Sequence, residues 1–298
     1  GSSGIDFLLN LFEKNKIKLS DKCEFTMELN PGRWSNRELK ALQKLGVNRV
    51  SVGVQSLSNN SLNSLDRVHS VRDVHEALKA LSSLSFNFSV DFMLGLPSVS
   101  QRSRTINAEV SELLKYGPNH ISAYILTVNK NYIHYAQIPE EDFVSDEYLK
   151  LSAIMKKNGF EHYEVSNFAK AGYKSKHNLK YWRGESVAAL GPSATGFLQF
   201  ENEGLRYKWK TSNIPEFSTE IVSKSSYKLE RFFLHLRTSD GVNLYDFIDL
   251  DRIFEAEEFV RELNNHGHLA NSSMGLLQLS PSGFLCADSI TTRLASYF

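Results

Sequence analysis

The chain has 298 residues and a formal net charge of zero, with 34 lysines and arginines against 34 aspartates and glutamates. That balance argues against a protein that holds nucleic acid with a broad basic face. Hydrophobic residues make up 41%, enough to build one large or two medium domains; no apolar run approaches membrane-spanning length and no secretory leader is readable.

The first four residues, Gly-Ser-Ser-Gly, read as a cloning scar or trimmed end and are set aside. From Ile5 to Lys16, Phe7, Leu8, Leu11 and Phe12 fall on one face of an amphipathic helix. Four stretches then read as strands. Glu24–Pro31 delivers Glu28 and is closed by its proline. Asn48–Ser56 sets Val50, Val52 and Val54 at period two, turns the small Ser51 and Gly53 to the other face, and ends on Gln55. Asn87–Pro97 carries Asp91 inside an apolar run, and His120–Val128 is the fourth.

Helical patterns separate the strands. Ser35 and Glu38 form a capping box ahead of the Leu39, Leu42, Leu45 stripe, which Gly46 ends. Leu57–His69 reads as a polar loop containing Asp66-Arg67. A helix begins near Ser70 with Val74, Ala77, Leu78 and Leu81 inward, and another runs from about Ser103 to Tyr116, where Gly117-Pro118 stops it. This alternation predicts right-handed βαβ units around a parallel sheet, whose strand C-termini carry the site. Glu28, Gln55 and Asp91 lie at or near those ends.

After Val128 the rhythm breaks and tyrosines crowd in, including Tyr132, Tyr135, Tyr148, Tyr163, Tyr173 and Tyr181. A helix is predicted from Asp146 to Asn158. Three stretches, 163–169, 176–184 and 190–196, lack a core pattern and read as loops pressed against a ligand or against the barrel mouth. From Tyr227 a small helical or winged-helix domain is expected: Phe232, Phe233 and Leu236 form one stripe, Phe259 and Leu263 another, 276–279 a short strand, and Ser280-Pro281 opens the last helix. The expected divisions are 5–130, 131–226 and 227–298.

Each candidate site residue has two readings. Asp91 in its apolar run needs a partner or a shifted pKa. Glu28 is a ligand-binding carboxylate or half of an ion pair, and Gln55 reaches into a site or satisfies loop backbone. Arg67 is a clamp or a solvated surface arginine. His177, beside Asn178 and ahead of Tyr181 and Trp182, is a ligand or an exposed structural histidine. Gly191-Pro192-Ser193 is a turn or a close approach to a cofactor. No nucleophile motif, glycine-rich phosphate loop or zinc spacing is present. The two cysteines, Cys23 and Cys286, are too far apart in sequence to suggest a metal quartet; a cytoplasmic setting is the simplest expectation.

Glu28-Leu29-Asn30-Pro31, Gly46 to Ser56, Leu65-Asp66-Arg67-Val68-His69 and Asp91 to Pro97, in this order and spacing, resemble the radical S-adenosylmethionine enzymes related to oxygen-independent coproporphyrinogen III oxidase. Tyr163 to Ala169 and His177-Asn178-x-x-Tyr181-Trp182 narrow the likeness to the haem-chaperone (HemW-like) branch, and 236–242 with 279–283 resemble the family's C-terminal domain. The resemblance implies a partial parallel (β/α)6 barrel with a smaller C-terminal domain. It implies that Glu28, Gln55, Arg67 and Asp91 hold S-adenosylmethionine, with Thr127 and Ala194 flanking the adenosyl group. Carboxylates accept from ribose hydroxyls or an amino group, and an arginine clamps a carboxylate. His177 becomes the haem-contacting candidate, with Asn178, Tyr181 and Trp182 beside it.

The sequence also departs from the family pattern. The Cys-x3-Cys-x2-Cys loop and the Gly-Gly-Gly-Thr-Pro segment are absent, and Thr195 stands where the branch has a histidine. A [4Fe–4S] cluster needs thiolates at one locus, so no metal ligands for it are expected in this chain. The expectation is a chain that lacks its family's cluster-binding segment and first strands, exposing a strand edge through which it could form a homodimer. The implied function is haem binding and delivery to an acceptor protein, with S-adenosylmethionine bound and the cluster held only by a full-length parent. The competing readings are a true coproporphyrinogen oxidase and a cluster-less haem- or protein-binding module.

Overall fold

The computed structural model describes residues 2–32, 34–97, 105–201, 203–211, 216–249, 251–271 and 275–298. The chain divides into two compact units, Gly1–His162 with Ser166–Tyr173, and Tyr163–Val165 with Lys174–Phe298.

In the first unit the elements are α1 (Ser2–Lys14), β1 (Thr26–Leu29), α2 (Asn36–Leu45), β2 (Arg49–Gln55), α3 (Asn59–Ser64), α4 (Val71–Ser83), β3 (Phe88–Leu94), α5 (Ile106–Leu114), β4 (His120–Ile125) and α6 (Glu141–Lys157), followed by β5 (Glu161–Glu164) and β6 (Asn167–Ala169). The sheet runs in the order β1-β2-β3-β4-β6-β5. The first four strands pair in parallel, as the βα alternation predicts. With β1 and β5 at its two ends the sheet is open, a partial barrel.

Helix starts and stops follow the sequence chemistry. Ser35 and Glu38 close a reciprocal capping box on α2, and Gly46 ends it in the left-handed region. Ser70 and Asp73 do the same at the start of α4. Leu39, Leu42 and Leu45 on α2 and Val74, Leu78 and Leu81 on α4 are buried. So are Val50, Val52 and Val54 of β2, Phe88, Val90 and Phe92 of β3, and Ile121 of β4. These strand residues share one face of the sheet by register. The α2 and α4 stripes, with Val110 and Leu113 of α5 and Tyr148, Leu151 and Met155 of α6, make the core with the apolar sheet face.

The structure corrects several expectations. The loop Leu57–His69 contains α3: Ser58 caps it by accepting from the Ser61 amide, and the fully buried Leu62 anchors it. Residues 163–169 are not a loop but belong to β5 and β6, which are neighbours in the sheet. β6 runs antiparallel to β4 through Ile121↔Phe168 and Ser122↔Asn167, so the sheet is mixed. Phe168 is fully buried; a three-residue strand is too short for its alternation to stand out among polar neighbours. Helix α6 begins at Glu141, five residues ahead of the expected Asp146. The helix predicted from Ser103 is seen from Ile106; Ser103 itself lies outside the described residues. Helix α1 starts at Ser2, inside the four residues set aside above.

The second unit holds α7 (Lys176–Trp182), β7 (Thr195–Phe200), β8 (Glu203–Trp209), β9 (Phe217–Val222), α8 (Lys224–Leu236), β10 (Val242–Asn243), α9 (Ile253–Asn265), β11 (Leu269–Asn271), β12 (Leu276–Leu279), α10 (Pro281–Leu285) and α11 (Ala287–Ala295). Strands β7, β8 and β9 form an antiparallel meander, an element the sequence reading lacked. Strands β10, β12 and β11 form a second small sheet that accompanies the helices expected of a winged-helix-like domain. Residues 176–184, expected to be loop, contain α7, whose cap is Ser175 accepting from the Asn178 amide. The single last helix is two, broken at Cys286. The stripe on α8 is Phe232 and Leu236, whereas Phe233 is 39% exposed.

Candidate functional site

The other face of the first unit's sheet is polar. In-register partners share a face, and the registers Glu28↔Ser51, Ser51↔Ser89, Gly53↔Asp91, Ser89↔His120 and Asp91↔Ser122 align one polar or small side chain beside another across four strands. Burying polar groups costs free energy unless they are paired. Here they are paired with one another. Ser51 Oγ donates to both carboxylate oxygens of Asp91, at 3.0 and 3.2 Å. Ser89 Oγ and His120 Nδ1 share a hydrogen bond of 2.7 Å.

Burial pushes the Asp91 carboxyl up to about 6; hydrogen bonds from Ser51 and Ser122 pull the other way, Glu28 adds repulsion, and Arg49 adds attraction. Burial, with the Arg49 charge second, pushes His120 down to about 3. Near neutral pH the face thus presents a carboxylate that is readily protonated and an imidazole held neutral.

Gln55 ends β2 in the left-handed region, φ 66°, at a bulge where the β2–β3 register shifts. It is buried. A methyl group at Gly53 would sit 3.1 Å from Gln55 Nε2 and 3.4 Å from Asn30 Oδ1. The two amides therefore lie over Gly53, on the polar face, at the strands' C-terminal ends. Two buried carboxylates fix the backbone there. Glu109 of α5 accepts from Ser56 Oγ at 3.1 Å and from the Leu57 amide at 3.2 Å, holding the loop after Gln55. Glu147 of α6 accepts from the Gly95 amide at 2.9 Å, holding the loop after β3.

Three of the expected residues, Glu28, Gln55 and Asp91, thus converge on one sheet face. Arg67 is exposed in the segment after α3. Its charge helps to lower the pKa of His69, whose ring lies 3.5 Å from the Val54 carbonyl, so it stands by the end of β2. Thr127 is exposed two residues beyond β4. Ala194 belongs to the second unit, where its carbonyl accepts from the Trp209 amide. Asn30, Ser51, Arg49, His120 and Ser122 were not among the expected site residues. Only Ser51 left a signal, as a small residue opposite the valines.

In the second unit, α7 carries His177 and Tyr181 one turn apart, with ring centroids at 5.0 Å and an edge-on angle of 79°. His177 is exposed, and Asn178 and Trp182 are half-buried.

The Radical SAM superfamily model matches residues 2–108. The whole chain superposes on coproporphyrinogen III oxidase (HemN) of Escherichia coli, a radical SAM enzyme, with a TM-score of 0.76 at 15% identity over 75% of that chain. The architecture is that of a radical SAM protein. Heme chaperone HemW of Bacillus subtilis is 31% identical over 285 residues, 89% of this chain and 74% of that protein. HemW of Lactococcus lactis is 33% identical over 237 residues, of which this chain spans 62%. A mitochondrial radical S-adenosyl methionine domain-containing protein 1 of Danio rerio is 30% identical over 97% of this chain. The chain belongs to the HemW family of radical SAM proteins. It spans about three fifths of the length of several of the curated relatives it matches.

The family implies a [4Fe–4S] cluster and S-adenosylmethionine. The cysteines of this sequence do not fit the cluster. Cys23 is half-buried in the first unit and Cys286 exposed in the second, and among the described residues no three His, Cys, Asp or Glu side chains are grouped to hold a metal. The polar face carries the kinds of group a polar nucleoside needs: the side-chain amides of Gln55 and Asn30 packed over Gly53, and carboxylate acceptors on Asp91 and Glu28. Among the described residues no helix is long and apolar enough to cross a membrane.

Proposed function

We propose that this protein binds S-adenosylmethionine on the polar sheet face and haem at α7, and that it carries haem to an acceptor protein in a cytoplasmic setting; its HemW relatives are named heme chaperones. The observation that supports the first part is that Glu28 and Asp91 share one sheet face with Gly53, over which the Gln55 and Asn30 amides lie. In this reading Asp91 and Glu28 accept from the ribose hydroxyls and the amino group. Gln55 offers a donor and an acceptor to the base, Arg67 clamps the carboxylate, and Thr127 flanks the adenosyl group. Ser51 and Ser122 orient the Asp91 carboxyl from behind. Haem is taken by the His177 imidazole, with Asn178, Tyr181 and Trp182 around it. S-adenosylmethionine would supply a sulfonium and an adenosyl group; Cys23 and Cys286 do not fit the cluster.

The test is a pair of titrations on the chain itself. Equilibrium dialysis with labelled S-adenosylmethionine should show saturable binding that Gln55→Ala and Asp91→Ala abolish. Ferric haem should bind with a Soret band that moves in His177→Ala. Absence of binding in the first titration overturns the nucleoside assignment, and an unchanged Soret band in His177→Ala removes histidine ligation.

A further inference from the structure

The second unit contains a cavity of about 540 Å³ with no role so far. Its walls come from α7, α8 and the β7–β8 pair. Tyr181, Phe197, Tyr227, Phe233 and Leu234 make it largely aromatic. Phe197 and Tyr227 lie nearly parallel, at 5.6 Å and 30°. The Tyr227 hydroxyl donates to the Gly184 carbonyl at 3.1 Å, which satisfies that ring's polar end. Among the polar wall residues Arg206 is engaged: it reaches Glu220 at 2.9 Å and Glu230 at 2.7 Å, so its charge is taken up by carboxylates. A cavity of this volume, aromatic with a few satisfied polar groups, has the character of a small-molecule site. At its mouth Tyr181 is 43% and Phe233 39% exposed, leaving aromatic surface wet.

We infer that this cavity receives the apolar edge of a porphyrin. The inference rests on the haem reading above and adds to it where the ring sits. Tyr181 connects the two: it lines the cavity and also touches the His177 ring from the next turn of α7. A macrocycle entering edge-first between the Phe197–Tyr227 pair and Phe233 stacks on aromatic faces. Its metal centre then lies towards α7 and its propionates stay in water. The cavity contributes ring contacts and His177 contributes the metal bond, so the two contributions separate when the metal is removed.

The probe is metal-free protoporphyrin IX, followed by its fluorescence, beside ferric haem followed by absorbance. Thr195→Trp places an indole at the cavity wall from an exposed position, and Phe233→Ala removes one aromatic wall. Both are checked for folding by circular dichroism. The expected result is saturable porphyrin binding by the parent chain, retained in His177→Ala and weakened at least about tenfold in Thr195→Trp and Phe233→Ala, with haem affinity falling alongside. If both folded cavity variants bind the porphyrin as the parent does while His177→Ala still moves the Soret band, the cavity assignment is wrong and the haem reading stands. If the parent binds neither haem nor porphyrin, the haem reading fails and the cavity assignment with it.

Discussion

Asp91 and His120 share the polar sheet face and are shifted in opposite senses, which makes their joint pH behaviour a sharp test. The Asp91 carboxyl is raised from 3.8 to about 6. In the window between those values the folded state holds a proton that the unfolded chain has lost, so stability falls as pH rises. His120 is lowered from 6.5 to about 3. Between those values the unfolded chain holds the extra proton, so stability rises with pH. Each group contributes about 1.4 kcal/mol per pH unit. From pH 4 to 6 the two slopes oppose and cancel. Asp91→Asn keeps an acceptor for Ser51 and removes one of them. Its stability relative to the parent should be unchanged near pH 4 and should grow to an advantage of about 3 kcal/mol above pH 6. Urea melts at half-unit pH steps, read as the difference between variant and parent so that all other titrating groups cancel, measure it. His120→Gln should show the opposite difference slope. A stability difference between Asp91→Asn and the parent that does not change from pH 4 to 7 would refute the assignment of a buried, raised carboxyl. Gained stability with lost nucleoside binding would mark Asp91 as a group kept for a ligand.

Gln55 sits in a left-handed backbone conformation that glycine adopts without strain. Gln55→Gly should keep stability within about 1 kcal/mol of the parent by urea melts while abolishing S-adenosylmethionine binding. Glu109→Ala leaves the Ser56 hydroxyl and Leu57 amide without their carboxylate partner. It should cost about 1–3 kcal/mol and speed amide exchange at Leu57, with Glu109→Gln recovering most of both. Gly241 lies at φ 69°, and a methyl group there would meet the Leu277 carbonyl oxygen at 2.3 Å; Gly241→Ala should lower the unfolding midpoint of the second unit by at least about 2 kcal/mol in stability. Anaerobic addition of iron and sulfide should give no [4Fe–4S] absorbance or electron paramagnetic signal from this chain; a stoichiometric cluster would overturn the argument from Cys23 and Cys286.

The parallel half of the sheet was legible because its signals are local. Valines at period two in β2, the capping box at Ser35, the helix start near Ser70 and the Gly46 stop each encode a boundary within a few residues. The β7–β9 meander was not legible. Its pairing joins residues such as Gly196 and Tyr207 across a hairpin, and its strands are mostly half-exposed, so no apolar alternation marks them. The same limit hid part of the site. Glu28, Gln55 and Asp91 could be read from strand ends. His120 and Ser122 could not, because their face is fixed only once β4 pairs with β3.

The polar face itself carries the strongest argument for a ligand. A sheet face lined by aliphatic side chains would bury as much area without leaving a carboxyl raised by about two pH units or a glutamine in a left-handed turn. Both features lower stability; Gln55 lies at the C-terminal end of β2, where α/β sheets hold ligands, and Asp91 lies mid-strand in β3. Helices α5 and α6 each spend a buried glutamate on the loops at that end rather than on their own termini. Side chains from two helices therefore stiffen the backbone around a site whose own residues are kept under strain. Gln55 departs there from the local backbone rule and Asp91 from the rule for buried charge, which is the pattern expected where a residue serves binding as well as folding.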